Sequence, residues 1–96
     1  MAMAVLVIRH QVESYDTWKA VFDEDAATRQ AHGSRREQVF CDVADANVVL
    51  IYLDWDDAER AWLFARSDDL RDAMVRAGVI DHPDLWILKE VDQPEF

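Results

Sequence analysis

The chain has 96 residues, enough for one domain, and is 51% hydrophobic and 31% charged with only two Gly and two Pro, so it folds rather than staying disordered. Twenty acidic against ten basic residues leave a net charge of −10, and no basic cluster extends beyond Arg35-Arg36. Nucleic acid and anionic membrane surfaces, which both require a basic footprint, are excluded as partners. The single cysteine, Cys41, forms no internal disulfide and sits in an apolar stretch that reads as core. The apolar run Met1 to Ile8 lacks a basic start and stops at Arg9-His10, too short for a signal core. No stretch nears the ~18 apolar residues of a membrane span, so a cytoplasmic protein is expected.

In chain order, Val5 to Val12 is β-branched and predicts the first strand. Ser14 is a candidate N-cap for a first helix, with Tyr15, Trp18, Phe22, Ala26 and Arg29 at helical spacing and Gly33 as its C-terminal stop. Glu37 to Val43 predicts a second strand, Asp45-Ala46-Asn47 a turn, and Val48 to Leu53 a third strand closing a hairpin. Asp56-Asp57 caps a second helix whose inner stripe is Ala58, Ala61, Trp62 and Ala65. Ser67, followed by Asp68-Asp69, is a further cap and predicts a break. Leu70, Ala73, Met74 and Ala77 then resume the helical period to Gly78, and Leu85 to Val91, beyond Pro83, predicts the fourth strand.

The order β-α-β-β-α-β predicts one α+β, ferredoxin-like split βαβ domain over residues 1–96, with a four-stranded antiparallel sheet and its helices on one face. The other face of such a sheet alternates with polar residues when it meets water. Here Val5 and Val7 oppose Leu6 and Ile8, Val49, Ile51 and Leu53 oppose Val48, Leu50 and Tyr52, and Leu85 and Ile87 oppose Trp86 and Leu88. An apolar second face of this size is expected to be buried, and a sheet-to-sheet homodimer with C2 symmetry is the simplest cover.

The segments His10-Gln11-Val12-Glu13-Ser14-Tyr15-Asp16-Thr17-Trp18 into Phe22, Leu53-Asp54-Trp55-Asp56, and Ser67, Leu70, Met74, Ala77-Gly78-Val79 and Pro83 carry a resemblance. Over about Ile8 to Val91 the chain resembles the dimeric α+β-barrel proteins of the antibiotic-biosynthesis-monooxygenase type. That resemblance implies dimerisation into an α+β barrel, a pocket within each subunit between sheet and helices, and membership of a group spanning cofactor-independent oxygenases, cyclase-like proteins and haem-degrading enzymes. Fold alone does not choose among them.

Within that frame Tyr15, Trp18, Phe22, Tyr52 and Trp62 are the candidate substrate-binding residues, aromatic walls for a flat natural product, against the simpler role of filling the core. His10, directly after an apolar strand, is the candidate general base, against a structural role hydrogen-bonded to backbone or to a helix acid. Arg29 shares the stripe of Trp18 and Phe22 and is the second candidate catalytic residue, stabilising developing negative charge, against a role in a plain ion pair. Both parities of the first strand are apolar, so the pattern does not decide whether His10 or Arg9 meets the pocket. His32, at a helix C-terminus, complements the dipole, and His82 reads as solvent-facing.

The chain has no Gly-rich phosphate loop and no nucleophile elbow, and His10, His32, Cys41 and His82 show no metal-ligand spacing, so no cofactor and no metal are expected. Haem-degrading relatives carry an axial histidine on the second helix, which this chain lacks, and where some relatives are expected to have histidine on the first helix it has Asp25. The leading expectation is therefore a cofactor-independent monooxygenase or cyclase for an aromatic or polyketide-like molecule. The alternative is a non-catalytic ligand-binding or accessory dimer, with haem handling third.

Overall fold

β-Branched and aliphatic residues with a period of two build the sheet. In the computed structural model, which describes residues 4–95, the strands are β1 (Ala4–Gln11), β2 (Ser34–Cys41), β3 (Val48–Trp55) and β4 (Asp84–Lys89). Met1 to Met3, at the head of the apolar run read above, lie outside the described residues. The helices are α1 (Tyr15–Glu24), α2 (Ala26–His32), α3 (Ala58–Ala65) and α4 (Asp68–Arg76). The strands pair antiparallel throughout in the order β2-β3-β1-β4, the arrangement of a ferredoxin-like α+β fold. No helix among the described residues is long and apolar enough to cross a membrane.

Register decides the two faces. Leu6 pairs with Leu53 and Ile87, and Ile8 with Ile51 and Leu85, so one pleat of every inner strand points at the helices. Leu6, Ile8, Val49, Leu53 and Trp55 are fully buried there and pack with Trp18, Ala61, Phe64 and Leu70. The opposite pleat carries Val5, Val7, Phe40, Leu50, Tyr52, Trp86 and Leu88, of which Phe40, Tyr52, Trp86 and Leu88 are exposed large apolar side chains.

Several boundaries differ from the sequence expectation. β2 starts three residues early, because Ser34 pairs with Trp55 across a bulge before Arg36. It also stops early, because Asp42 turns the chain: its side chain accepts from Ala44 N–H at 2.7 Å and its carbonyl from Asp45 N–H at 3.2 Å. The first predicted helix is two helices, with the backbone of Asp25 (φ −89°, ψ 6°) leaving helical geometry between them. Ser14 occupies the N-cap position without making a side-chain cap bond; Tyr15 N–H instead donates to Asn47 Oδ1 at 3.1 Å. Asp57 and Ser67 do cap, accepting from Arg60 N–H at 2.8 Å and Leu70 N–H at 3.1 Å, which ends α3 and starts α4 where the sequence placed a break. Gly33 (φ 121°) closes α2 in a conformation that other residues adopt only under strain.

Cys41 is exposed, not a core residue. It ends the edge strand, with β3 on one side only. The inner stripe of α3 also differs: Ala61 and Phe64 are buried, while Ala58 is exposed and Trp62 stands 51% exposed.

Candidate active site

The end of β1 separates its two polar residues. Arg9 lies on the outer pleat, 3.6 Å from Asp84. His10 lies on the inner pleat, only 1% exposed, with its ring centroid 5.6 Å from that of Trp18. Neither Nδ1 nor Nε2 has a hydrogen-bond partner among the described residues. Leaving such a group buried and unpaired costs about 1–3 kcal/mol, so the fold carries a destabilising imidazole at this position. Burial pushes its pKa down from 6.5 to about 4, with the Asp81 carboxylate opposing that only in part. At neutral pH His10 is uncharged, with both ring nitrogens uncommitted.

His10 faces a cleft between the sheet and the helices. Ile8, Ile51 and Leu53 form its floor, Trp18 and Phe22 of α1 one wall, and Phe64, Leu70 and Met74 of α3 and α4 the other. The Trp18 and Phe22 rings stack at 5.0 Å and 20°, a flat aromatic surface. The cleft holds a cavity of only about 50 Å³, well below the roughly 300–1,000 Å³ of small-molecule sites. A ring system entering it must part α1 from α4.

Arg29, 5% exposed, also lines the cleft. Its Nε and Nη2 donate to Glu37 Oε2 and Oε1 at 2.6 and 3.1 Å, its Nη1 donates to the Phe22 carbonyl at 2.7 Å, and its guanidinium lies 3.6 Å over the Phe22 ring. A guanidinium has five N–H donors, so one on each terminal nitrogen stays uncommitted, while the Glu37 carboxylate neutralises the charge. Ser34 Oγ supports that carboxylate at 3.1 Å.

The structure thus brings His10, Trp18, Phe22 and Arg29 together and leaves three expected residues out. Tyr52 pairs with Val7 on the outer pleat, where its ring meets Phe40 edge-on at 5.3 Å, because the period of two sends it opposite to Ile51 and Leu53. Trp62 follows the buried Ala61, and one helical step of about 100° turns it to solvent beneath Arg66. Tyr15 is half-buried at the start of α1 against Trp18, 5.9 Å between centroids, and does not line the cleft. His82 is exposed, and His32 binds Asp69 at 3.0 Å with its ring edge-on to Phe64.

Sequence reasoning missed Phe64, Glu37 and Asp69. Phe64 was within reach, since it follows Ala61 by three on the buried stripe. Nothing in the local pattern ties Glu37 to Arg29, because the bond joins a helix to the following strand.

Several solved proteins share this architecture. SnoaB, a cofactor-independent oxygenase from Streptomyces nogalater, matches with a TM-score of 0.74 at 16% identity over 99% of this chain and 100% of its own. The ActVA-Orf6 monooxygenase of Streptomyces coelicolor, solved with nanaomycin D, matches at 0.70 and 16% identity over 98% and 92% of the two chains. A Bordetella bronchiseptica protein provisionally assigned as an antibiotic biosynthesis monooxygenase matches at 0.79 and 12% over 95% and 99%. The fold is that of the antibiotic biosynthesis monooxygenases. At these identities the likeness concerns the fold and transfers no residue role. No family profile matches the chain and no curated protein matches its sequence.

Proposed function

We propose that the protein is a cofactor-independent oxygenase of aromatic or polyketide-like molecules, with His10 as the base. The observation that carries this reading is the buried imidazole, unpartnered at both nitrogens, facing an apolar aromatic cleft. A structural histidine in a core is hydrogen-bonded, and this one is free for a ligand. The presence of a cofactor-independent oxygenase and of a nanaomycin D complex among proteins of this fold supports the same class.

The chemistry needs little equipment. Neutral His10 accepts a proton from an acidic C–H of a phenolic or enolisable ring, and the resulting ion pair offsets the burial that otherwise disfavours imidazolium. The carbanion passes one electron to dioxygen, and superoxide and substrate radical combine to form a C–O bond. The peroxide takes the proton back from His10 and loses water, leaving a carbonyl. One dioxygen is consumed, one water is released, and His10 is unchanged. Trp18 and Phe22 hold the ring and exclude water, and the spare N–H groups of Arg29 donate to the developing enolate, as hydrogen-bond donors rather than as net charge.

Two copies pack through their outer sheet faces, covering Phe40, Tyr52, Trp86 and Leu88, and the protein acts in the cytoplasm as such a dimer. A competing reading, a non-catalytic binder, draws support from the narrowness of the cleft and the neutralised Arg29. Oxygen uptake with 1,8-dihydroxyanthrone as probe separates the two. The oxygenase forms one quinone per dioxygen consumed, and His10→Ala loses this activity while keeping the wild-type circular dichroism. Binding of the probe without uptake favours the binder, and full turnover by folded His10→Ala removes His10 from the mechanism.

A further inference from the structure

The mouth of the cleft has an electrostatic character that its interior lacks. Asp25 at the α1–α2 kink and Asp69 on α4 belong both to the cleft lining and to a polar recess at its rim, where Asp72 and Arg76 join them. Arg76 is the one cation lining this recess, and it is spent: it holds Asp25 at 2.9 and 3.1 Å and lies 3.9 Å from Glu24. Asp69 meets only the His32 imidazole, at 3.0 Å. Asp72 has no hydrogen bond or ion pair among the described residues. Behind the rim, Arg29 is neutralised by Glu37. A ligand reaching the unpartnered, 99%-buried His10 therefore passes one carboxylate without a partner, Asp72, a second, Asp69, held only by an imidazole, and no free cation among the described residues.

We infer that the cleft selects uncharged or cationic aromatic molecules against anionic ones, and that Asp69 and Asp72 supply the discrimination. The inference rests on the reading of the cleft as a ligand site and narrows its substrate class. It is consistent with proton removal by His10: the molecule enters protonated, and its negative charge arises only inside, beside the donors of Arg29. A carboxylated or already ionised ring meets repulsion at the rim.

Three bicyclic probes of matched size test this by calorimetric titration at low salt: 2-naphthol, 2-naphthylmethylamine and 2-naphthoate. Each surface carboxylate shifts the affinity of a charged probe about two- to threefold. Naphthoate should then bind about fivefold more weakly than naphthol, and naphthylmethylamine about fivefold more tightly. Asp72→Asn, which breaks no bond, should roughly halve the naphthoate penalty, Asp69→Asn with Asp72→Asn should abolish it, and 0.5 M NaCl should flatten the series. Equal binding of the three probes to the wild type, or a naphthoate penalty unmoved by Asp72→Asn, overturns the filter and leaves the cleft as a ligand site. Failure of naphthol itself to bind, or binding that survives Ala73→Trp inside the cleft, overturns the ligand-site reading and the filter with it.

Discussion

His10 gives this protein a signature measurable in stability alone. Its pKa is 6.5 in the unfolded chain and about 4 in the fold, so between those values the unfolded state binds more protons. Stability is then fully present above pH 6.5 and falls as pH drops through the window toward 4. Linkage gives a loss of about 2.5 kcal/mol between pH 7 and pH 4.5 from this one group. The side chain is almost wholly buried, which leaves little solvent screening to discount. Replacing it with leucine removes the titration and both unpaired nitrogens, so His10→Leu should also be more stable than the wild type at pH 7, by about 1–2 kcal/mol. The assay is urea unfolding of both proteins at the two pH values. Carboxylates titrating in the same range contribute equally to each, and the difference between the two proteins isolates His10. The variant should be ahead by about 1–2 kcal/mol at pH 7 and by roughly twice that or more at pH 4.5. Parallel pH dependence in the two proteins would show that His10 is solvated or hydrogen-bonded in the fold, and the case for an uncommitted base would fall with it.

Glu37→Leu leaves the Arg29 guanidinium buried without its carboxylate and should cost about 2–4 kcal/mol by urea unfolding; an unchanged midpoint would mean that the Phe22 carbonyl holds Arg29 by itself. Gly33→Ala places a Cβ 3.1 Å from Arg60 Cδ at φ +121° and should cost about 1–3 kcal/mol, lowering the thermal midpoint by several degrees. On the outer sheet face, Trp86→Glu should turn a dimer into a monomer in light scattering behind size exclusion; a wild type that is already monomeric, or a variant that stays dimeric, contradicts sheet-face packing.

The strands were legible because β-branched runs with a period of two leave few alternatives, and the caps at Asp57 and Ser67 were legible because each precedes a helical repeat directly. What the sequence hid depends on partners distant along the chain. β2 begins at Ser34 because Trp55 is there to pair with it, and Cys41 is exposed because β2 is an edge, a fact of strand order rather than of composition. The kink at Asp25 has no proline or glycine to announce it, and its side chain bonds Arg76, 51 residues further on. In the site, helical spacing placed Trp18 and Phe22 at the cleft but also put Tyr15 and Trp62 on inner stripes that the fold keeps out of it, and Tyr52 was placed by residue type. Type is a poor guide here, because aromatic side chains serve the outer sheet face as well as the cleft.

The parity of β1 is the step on which the whole site turns, and elementary electrostatics could have settled it where hydrophobic pattern did not. One of Arg9 and His10 must face the helices, and the residues that precede each on its own pleat, Val7 and Ile8, are both apolar. An arginine turned inward keeps its charge at any accessible pH and demands a carboxylate partner, as Arg29 demands Glu37. A histidine turned inward can release its proton and be buried neutral at a smaller cost. The pleat that hides His10 leaves Arg9 on the outer face beside Asp84, so the cheaper burial and the satisfied charge select the same register. The pairs Ile8–Ile51 and Leu6–Leu53 reinforce it from the core side. The register that minimises the cost of charge is also the one that delivers an uncommitted imidazole to the cleft, so the candidate base stands where it does as a consequence of folding.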